Sequence, residues 1–277
     1  MIIASDHATS PQGVPLTAGV LGVIPARLAS SRLPEKPLLQ LAGRALLEWV
    51  WRRVADYDLF DALVVATDSE RVAELARGFG AEVALTAAEH ASGTDRVAEV
   101  ARMPAYAGHG TVVNVQGDEP FIREDHLRAA VELVRTGGWE VGTVAVPLVS
   151  QQEWQTPDAV KVIRGDDGGA LYFSRAPVPF ARDDPPTTAD LGTGAYLRHV
   201  GVYAYAREAL LRWVALPTGA LERIERLEQL RPLAAGIRIG VAVGEAAEGG
   251  VDTPQDAARA ERILLSTPPS ATQRAPA

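Results

Sequence analysis

The stretch LGVIPARLASSRLPEKP, residues 21–37, carries most of the information about the fold. It begins as an apolar run typical of a buried strand and continues as a loop that carries Arg27, Arg32 and Lys36. In an open parallel α/β sheet, ligands bind outside the carboxyl ends of the strands, and a phosphate there requires N–H groups and fixed positive charge. The stretch contains neither G-x-G-x-x-G nor the Walker pattern. We therefore predict a polyphosphate loop in which arginine and lysine supply much of the positive charge.

Composition limits the classes of protein that this chain can represent. Its 277 residues are 47% hydrophobic and 22% charged, which suffices for a full core in one or two globular domains. No apolar stretch approaches the roughly 20 residues that span a bilayer. The N-terminal stretch lacks the basic and apolar regions of a signal peptide. The absence of cysteine excludes disulfides and thiolate nucleophiles. We expect a cytoplasmic protein without membrane insertion.

The charge balance argues against a nucleic-acid partner. The net charge is −8, whereas nucleic-acid binding requires a basic surface. The cationic loop of residues 27–36 is a local exception in this acidic protein. That contrast predicts a site for an anionic small molecule.

Short β-rich runs alternate with helical patterns along the first half of the chain. Strands are predicted at 21–25, 62–66, 82–85, 111–115 and 141–147, with helical segments after Arg44, Ser69, Thr94 and Glu124. Strands that alternate with helices indicate parallel βαβ units. The sequence therefore predicts an α/β fold with a mostly parallel sheet flanked by helices.

After residue 147 the order of the elements changes. Strands are predicted at 159–164, 171–173, 199–205 and 237–243, helices at 208–214, at 220–233 and after Thr253, and a loop at 176–188. We therefore expect one domain at 19–265 with an inserted subdomain at about 150–235. Residues 1–18 are predicted to be a flexible extension, and 266–277, rich in Ser, Pro and Ala, a flexible tail.

Acidic residues follow a second buried strand in VVNVQGDEP, residues 112–120. Gln116, Asp118 and Glu119 come just past the strand, where Gly117 relieves the backbone. An aspartate there can hold Mg²⁺ against phosphate oxygens, because magnesium usually takes one or two carboxylates with substrate phosphates and water. The alternative is that Asp118 caps the helix after Pro120.

A third motif, GGVDTPQD, places Asp252 in another loop. Two carboxylates from separate βα loops can converge on one cation. In the alternative interpretation Asp252 is an ordinary helix cap, although Thr253, which precedes proline, is the better candidate for that position.

These motifs belong to an ordered set that covers nearly the whole chain. The set is IPARLASSRLPEKPL, VATDSERVA, ASGTDRVAEV, VNVQGDEP, DAVKVI, ALYFSRAPVPF, RHVGVYAY, LERIERLEQLR and GVDTPQD. On these motifs the chain resembles the 3-deoxy-manno-octulosonate (Kdo) cytidylyltransferases, the CMP-Kdo synthetases of bacterial lipopolysaccharide synthesis. The resemblance implies a Rossmann-like nucleotide-diphospho-sugar transferase fold, an inserted subdomain for sugar binding and dimerisation, a homodimer, Mg²⁺ dependence, and transfer of CMP from CTP to Kdo with release of pyrophosphate.

The resemblance also implies roles for individual residues. On the nucleotide side, Arg27 and Lys36 bind the CTP phosphates with Arg32 nearby, Ser92 and Arg96 form part of the nucleotide pocket, and Gln116 lies near both substrates. Asp118 and Asp252 hold the magnesium. Arg27, Lys36 and the two aspartates together form the catalytic set.

The sugar side is implied by the same resemblance. Its residues are Arg175, His199, Tyr203, Glu228 and Gln229. Arg175 would pair with the carboxylate of Kdo; the alternative is a structural arginine that ties the inserted subdomain to the sheet. His199 is either a proton acceptor or a hydrogen-bonded residue that shapes the sugar pocket.

Two positions depart from the family pattern, and two other functions remain open. Glu35 replaces the usual glycine before the loop lysine, and Asp95 replaces a glutamate. The alternative sugars are 8-amino-Kdo and a sialic-acid-type acid. A silent nucleotide-sugar binding module is the remaining alternative, and the presence of both aspartates with Arg27 and Lys36 argues against it.

Overall fold

A computed structural model describes residues 18–28 and 33–266. Arg32, and all but one residue each of the predicted extension and tail, lie outside the described residues. The chain forms two compact units. The N-terminal unit comprises residues 19–124 with 247–266, and the middle unit comprises 125–246, which includes the predicted insertion at 150–235.

Parallel strands form the sheet of the N-terminal unit. Its elements are β1 (Gly19–Pro25), β2 (Gln40–Leu41), β3 (Arg44–Ala45), α1 (Leu46–Ala55), β4 (Ala62–Thr67), α2 (Glu70–Gly78), β5 (Glu82–Leu85), α3 (Gly93–Arg102) and β6 (His109–Asn114). The strand order is β6-β1-β4-β5, with every pair parallel. β1 is therefore paired on both edges, and its nearly continuous burial explains its uninterrupted apolar sequence.

The middle unit contains the antiparallel pairs. Its elements are α4 (Glu124–Arg135), β7 (Val141–Pro147), α5 (Gln151–Gln155), β8 (Lys161–Arg164), β9 (Ala170–Ser174), α6 (Thr188–Leu191), β10 (Leu197–Ala206), α7 (Arg207–Ala215), α8 (Ala220–Glu225), α9 (Leu230–Ala234) and β11 (Ile239–Val243). β7 pairs with β11 in parallel and with β10 antiparallel, while β8 pairs antiparallel with β9 and β10. Helix α10 (Pro254–Ser266) returns to the N-terminal unit.

The α/β class is confirmed, and so is the parallel pairing among the strands predicted at 21–25, 62–66, 82–85 and 111–115. The helix predicted at 220–233 is wrong as one element, because α8 ends at Glu225 and α9 begins at Leu230. Arg226 interrupts it with a left-handed φ of 53°. The Glu225 carboxylate accepts hydrogen bonds from Ser174 Oγ at 2.7 Å and from the Arg175 N–H at 2.9 Å. These tertiary contacts hold a backbone conformation that a non-glycine residue seldom adopts.

Two short helices are additions to the sequence prediction. α5 was not expected, and α6 begins where the predicted loop at 176–188 ends. Both have a hydroxyl cap, since Ser150 Oγ accepts from the Glu153 N–H and Thr187 Oγ1 from the Asp190 N–H. Among the described residues, no helix has the length and apolar composition needed to cross a membrane.

Candidate active site

Three side chains that were expected to act together meet in the N-terminal unit. Lys36 Nζ donates a hydrogen bond of 2.8 Å to Asp252 Oδ1 and a second hydrogen bond to Asp118 Oδ2. Asp118 follows β6, whereas Asp252 precedes α10. The two carboxylates thus lie on separate loops and converge on one cation, here an ammonium group.

Two glycines allow the loops to approach so closely. A Cβ at Gly117 would lie 2.8 Å from the Pro25 carbonyl oxygen, at the end of β1. A Cβ at Gly250 would lie 2.9 Å from a Glu119 carboxylate oxygen and 3.2 Å from the Asp118 carbonyl oxygen. A side chain at Gly117 would force this loop away from the end of β1, and one at Gly250 would require the Glu119 side chain and the Asp118 carbonyl to shift. The approach is completed by the Val251 N–H, which donates to the Asp118 carbonyl at 2.9 Å.

Residues of the same loops also belong to an apolar cluster. Val251 is fully buried next to Asp252, and Leu33 lies three residues before Lys36. The cluster comprises Leu33, Leu41, Leu46, Trp49, Val251, Ala260 and Leu264. Burial of such side chains stabilises each by about 1.5–3 kcal/mol relative to exposure. The positions of Lys36 and Asp252 therefore depend on hydrophobic packing as well as on their ion pair.

The helix-cap alternatives are not what the structure shows. Thr253 caps α10: its Oγ1 accepts from the Asp256 N–H at 3.2 Å, and Asp256 Oδ2 accepts from the Thr253 N–H at 3.0 Å. Helix α4 begins only at Glu124, too far beyond Asp118 for that residue to cap it. Both carboxylates instead accept hydrogen bonds from Lys36.

The electrostatics of this trio favour a charged Lys36. Burial disfavours the charged ammonium, but the Asp118 and Asp252 carboxylates outweigh it and raise the pKa of Lys36 above its usual value. The Lys36 side chain is 13% exposed, against 31% for Asp118 and 45% for Asp252. The ammonium is thus the inner member of the trio, and the carboxylates are reachable from solvent.

Glu35 stands where the family pattern has glycine. Its backbone conformation is one that favours glycine. Its φ is 52°, in the left-handed region, where a side chain is unfavourable. The Glu35 carboxylate accepts from two Arg71 nitrogens, at 2.5 and 3.3 Å. This exposed ion pair joins the lysine loop to α2, and it lowers the pKa of Glu35 through a hydrogen bond and charge attraction.

The other residues expected on the nucleotide side differ in their surroundings. Arg27 is exposed just after β1, Gln116 is half-buried just after β6, and Arg32 lies outside the described residues. Ser92 caps α3 in a reciprocal box with Asp95, whose carboxylate accepts from the Ser92 N–H at 3.2 Å. The shorter side chain of Asp95 therefore completes this box.

Arg96 is almost completely buried, with 3% of its surface exposed. It donates to Thr86 Oγ1 and lies 3.5 Å from Asp68 Oδ1. Asp68 and Thr86 were not singled out from the sequence, although Asp68 falls inside the VATDSERVA motif. The sequence does contain a signal for Asp68, because it is a charged residue directly after the strand β4.

The predicted magnesium site requires that Asp118 and Asp252 suit the ligand preferences of Mg²⁺. Within residues 18–28 and 33–266, no group of three or more His, Cys, Asp or Glu side chains could hold a metal. Mg²⁺ commonly uses one or two carboxylates and completes its octahedron with water and substrate phosphates. Asp118 and Asp252 already place oxygen atoms around one cation, so the pair fits this kind of site.

On the sugar side, His199 and Tyr203 share one face of β10, with ring centroids 5.3 Å apart. Burial lowers the pKa of His199 to about 3, and Arg198 acts in the same direction. The imidazole is therefore neutral near pH 7. Burial raises the pKa of Tyr203, with further contributions from Tyr205 and Glu228.

The Tyr203 hydroxyl is buried and has no hydrogen-bond partner among the described residues. Such groups are rare in folded proteins and call for an explanation such as a water or a ligand. Gln229 is buried at the start of α9.

Arg175 uses its guanidinium on backbone carbonyls. Nε donates to the Glu225 carbonyl at 2.8 Å and a terminal nitrogen donates to the Pro157 carbonyl at 2.9 Å. The other terminal nitrogen lies 3.5 Å from the Arg226 carbonyl. This arrangement is the one expected of a structural arginine, and it leaves only part of the donor fork for a substrate carboxylate.

Lys161 is a buried cation that the sequence reasoning did not single out. It is fully buried, and its ammonium donates to the carbonyls of Thr156, Ala159 and Arg175 at 2.8, 2.5 and 2.8 Å. All three ammonium protons are therefore bound. Burial lowers the pKa of Lys161, and Arg175 lowers it further. The sequence signal for Lys161 is its position in the DAVKVI motif.

Comparison with known proteins identifies the family of the chain. A family model described as cytidylyltransferase matches residues 21–239. The 3-deoxy-manno-octulosonate cytidylyltransferase of Gemmatimonas aurantiaca is 52% identical over 243 residues, 87% of this chain and 92% of that protein. The chain belongs to the 3-deoxy-manno-octulosonate cytidylyltransferase family. The member of that family from Xanthomonas oryzae is 44% identical and covers 91% of this chain and 99% of its own length.

Solved structures agree with this membership. A CMP:2-keto-3-deoxy-manno-octonic acid synthetase, solved in complex with CTP, matches with a TM-score of 0.81 and 36% identity over 90% of this chain and 99% of that chain. The 4-diphosphocytidyl-2C-methyl-D-erythritol synthase of Anaerococcus prevotii shares only the fold, with a TM-score of 0.59, 14% identity, and coverage of 90% of this chain and 99% of that chain. The predicted nucleotide-diphospho-sugar transferase fold of this 3-deoxy-manno-octulosonate cytidylyltransferase family member is confirmed.

Proposed function

We propose that the chain transfers CMP from CTP to Kdo and releases pyrophosphate, the step that activates Kdo for lipopolysaccharide synthesis. One observation carries the proposal. In a chain 52% identical to a 3-deoxy-manno-octulosonate cytidylyltransferase, the two aspartates of the predicted metal site converge on the ammonium group of Lys36. A silent binding module has no use for such a paired acid site.

The reaction requires little covalent chemistry from the protein. The C2 hydroxyl oxygen of Kdo forms a bond to the α-phosphorus of CTP, the bond from that phosphorus to the pyrophosphate oxygen breaks, and the hydroxyl proton passes to solvent water. Positioning and charge neutralisation supply most of the rate in such transfers. When bound by Asp118 and Asp252, Mg²⁺ would lower the pKa of a coordinated hydroxyl and neutralise charge on the transferred group.

Lys36 has a place in this scheme beside the aspartates. Its ammonium now occupies oxygen atoms of both carboxylates. A Mg²⁺ ion held by the same two carboxylates would compete for their oxygen atoms with Lys36. Its flexible stem and point charge then suit the phosphate oxygens of CTP. Arg27, exposed after β1, would provide a second cation for the phosphates.

The sugar would bind to residues of the middle unit. The unpaired Tyr203 hydroxyl and the neutral His199 ring offer polar atoms that sugar hydroxyls can satisfy. With a pKa of about 3, His199 is a poor proton acceptor, which supports its role as a hydrogen-bonded residue that shapes the pocket. Arg175 would reach the Kdo carboxylate only with the donors that its carbonyl contacts leave over.

We also propose a cytoplasmic homodimer, on the family likeness. The middle unit carries large apolar side chains on its surface, Phe180 at 81% and Ile224 at 78% exposure. Exposed apolar groups of this size favour a protein contact. Sedimentation of the purified chain would test it, and a monomer at micromolar concentration would reject it.

The activity is tested with CTP, Mg²⁺ and Kdo, by measuring pyrophosphate and CMP-Kdo together. We expect CTP to be used far better than ATP or GTP, because a pyrimidine-sized pocket excludes purines by shape. Equal turnover with ATP would overturn the nucleotide assignment. A parallel panel with 8-amino-Kdo and a sialic acid identifies the sugar. Faster turnover of either one would replace Kdo as the substrate.

A further inference from the structure

Strand β10 contains an irregularity beside the proposed sugar residues. Val200 is opposite Val144 of β7, and the next paired residue, Tyr203, is opposite Thr143. Gly201 and Val202 therefore have no partners on β7 and form a bulge. Because His199 is opposite Ala145, the bulge leaves His199 and Tyr203 two ladder positions apart on the same face.

Thr143 lies against this bulge and is fully buried. Its Oγ1 is 2.7 Å from the Val202 carbonyl oxygen and 2.9 Å from His199 Nε2. The Val200 carbonyl oxygen is more distant, at 3.4 Å. One hydroxyl thus contacts both the bulge backbone and the imidazole.

The directions of these hydrogen bonds follow from the available protons. A carbonyl oxygen can only accept, so the single hydroxyl proton of Thr143 goes to Val202 at the shorter distance. The hydroxyl oxygen must then accept from His199 Nε2. In a neutral imidazole one nitrogen carries the proton and the other accepts. The His199 proton is therefore on Nε2, and Nδ1 has the lone pair.

The remaining surroundings of the ring are aromatic. Phe173 meets it edge-on at a centroid distance of 5.0 Å, and Tyr203 packs at 5.3 Å. Among the described residues, the contact with Thr143 is the one hydrogen bond of this ring. The low pKa of His199 keeps the imidazole neutral over the working range, so the tautomer is not lost by protonation.

We propose that Thr143 is a positioning residue: it fixes the Nε2–H tautomer of His199 and thereby presents Nδ1 as an acceptor for a hydroxyl group of the sugar. The identity of the ligand rests on the proposed function. An Nδ1 lone pair accepts from a hydroxyl and repels a carboxylate, so the contact orients the polyhydroxyl chain and leaves the acid group to other residues.

Two substitutions separate positioning from simple structural support. Thr143→Val keeps the shape and removes the hydroxyl, whereas Thr143→Ser keeps the hydroxyl. Thr111→Val is the matched control, because Thr111 is also fully buried on a strand but its hydroxyl has no hydrogen-bond partner among the described residues. ¹⁵N spectra of the imidazole nitrogens, assigned with His199→Gln, report the tautomer in the free protein.

We expect Nε2–H in the wild type, a mixed or Nδ1–H population in Thr143→Val, and recovery in Thr143→Ser. The KM for Kdo should rise at least about tenfold in Thr143→Val, the cost of one polar contact, with the KM for CTP within about twofold. Thr111→Val should change neither constant. An Nδ1–H tautomer in the wild type, or an unchanged spectrum and KM in Thr143→Val, would overturn the proposal.

The same experiment distinguishes this inference from the proposed function. A wild type that does not turn over Kdo would reject the function, while its imidazole spectrum would still decide whether Thr143 sets the tautomer. If Thr143→Val does not fold, Thr143→Ala removes the hydroxyl in its place, and an unchanged spectrum and KM in that variant would overturn the proposal equally.

Discussion

Lys36 Nζ lies 2.8 Å from Asp252 Oδ1, although 216 positions separate the two residues in the chain. The contact joins the loop after the first strand to the loop before the last helix. Because Val251 and Leu33 belong to one apolar cluster, the contact is set by packing as much as by charge. Substitutions of Lys36, Asp118 and Asp252 therefore test the proposed roles of these residues.

We expect Asp118→Asn and Asp252→Asn each to lower turnover by at least about 100-fold, because each removes a carboxylate charge from the proposed magnesium site. The melting temperature should change little, since asparagine keeps the volume at both loops. Pyrophosphate release over a magnesium titration, with melting curves, measures both. Asp166→Asn, at an exposed hairpin turn, is the control. Wild-type rates at saturating magnesium in either variant would mean that the site lies elsewhere.

Replacement of Lys36 should affect the nucleotide first. Lys36→Ala should raise the KM for CTP or lower kcat, and Lys36→Arg should not fully restore them, because a planar guanidinium cannot reproduce a point ammonium between two carboxylates. Steady-state kinetics at saturating Kdo provides the measurement. Unchanged constants in Lys36→Ala would reduce the cationic loop to a solvated charge cluster.

A binding measurement without nucleotide tests the competition between Lys36 and the metal. Lys36→Met leaves the charges of Asp118 and Asp252 uncompensated, so Mg²⁺ should bind this variant more tightly than it binds the wild type. Calorimetric titration of the free protein gives the two affinities. Equal or weaker binding by Lys36→Met would show that the ammonium does not compete for these oxygens.

The left-handed backbone at Glu35 predicts an order of stabilities. Glu35→Gly relieves the strain but loses the ion pair with Arg71, whereas Glu35→Ala loses the ion pair and keeps the strain. We therefore expect Glu35→Gly to melt at a higher temperature than Glu35→Ala. Arg71→Ala is the companion variant that removes the ion pair alone. A more stable alanine variant would show that the left-handed conformation is not populated.

Arg175→Ala should destabilise the middle unit, because the carbonyls of Glu225 and Pro157 lose a charged donor. Loss of such contacts typically costs about 1–3 kcal/mol. Thermal unfolding and the two KM values should be measured on the same sample. A stable variant with a raised KM for Kdo alone would show instead that Arg175 binds the substrate carboxylate.

The neutral His199 predicts a pH dependence of stability. Its folded pKa is about 3 and its unfolded pKa about 6.5, so between these values the unfolded state binds the proton. The contribution of His199 is therefore complete above pH 6.5 and is lost as pH falls toward 3. The slope is at most about 1.4 kcal/mol per pH unit, and less for a half-buried ring.

Urea unfolding at several pH values measures this slope. The free energy of unfolding should fall more steeply in the wild type than in His199→Gln between pH 6.5 and 4. His109→Gln, at a half-buried position of the other unit, controls for the general effect of removing a histidine. Parallel curves for wild type and His199→Gln would mean that the ring is protonated in the folded state.

The sequence predicted what depends on local pattern and on motif. The parallel strands of the N-terminal unit and the two acidic loops could be found because an apolar strand ends shortly before Asp118 and a pair of glycines precedes Asp252. The break at Arg226 could not, since no glycine or proline marks it and the adjacent contact of Glu225 with Ser174 joins residues far apart in the sequence. The role of Thr143 was equally hidden, because a threonine in a strand has no distinct signal until the bulge of β10 is known.

Lys36 and Lys161 are the only lysines in the sequence, and arginine provides the other basic side chains. Both ammonium groups donate hydrogen bonds to oxygen atoms. That of Lys161 donates only to backbone carbonyls in the interior. An amine-directed label or cross-linker thus finds no fully exposed lysine among the described residues. The rate of acylation at Lys36 would become a direct chemical readout of whether its ammonium is held by anionic oxygen atoms or is free.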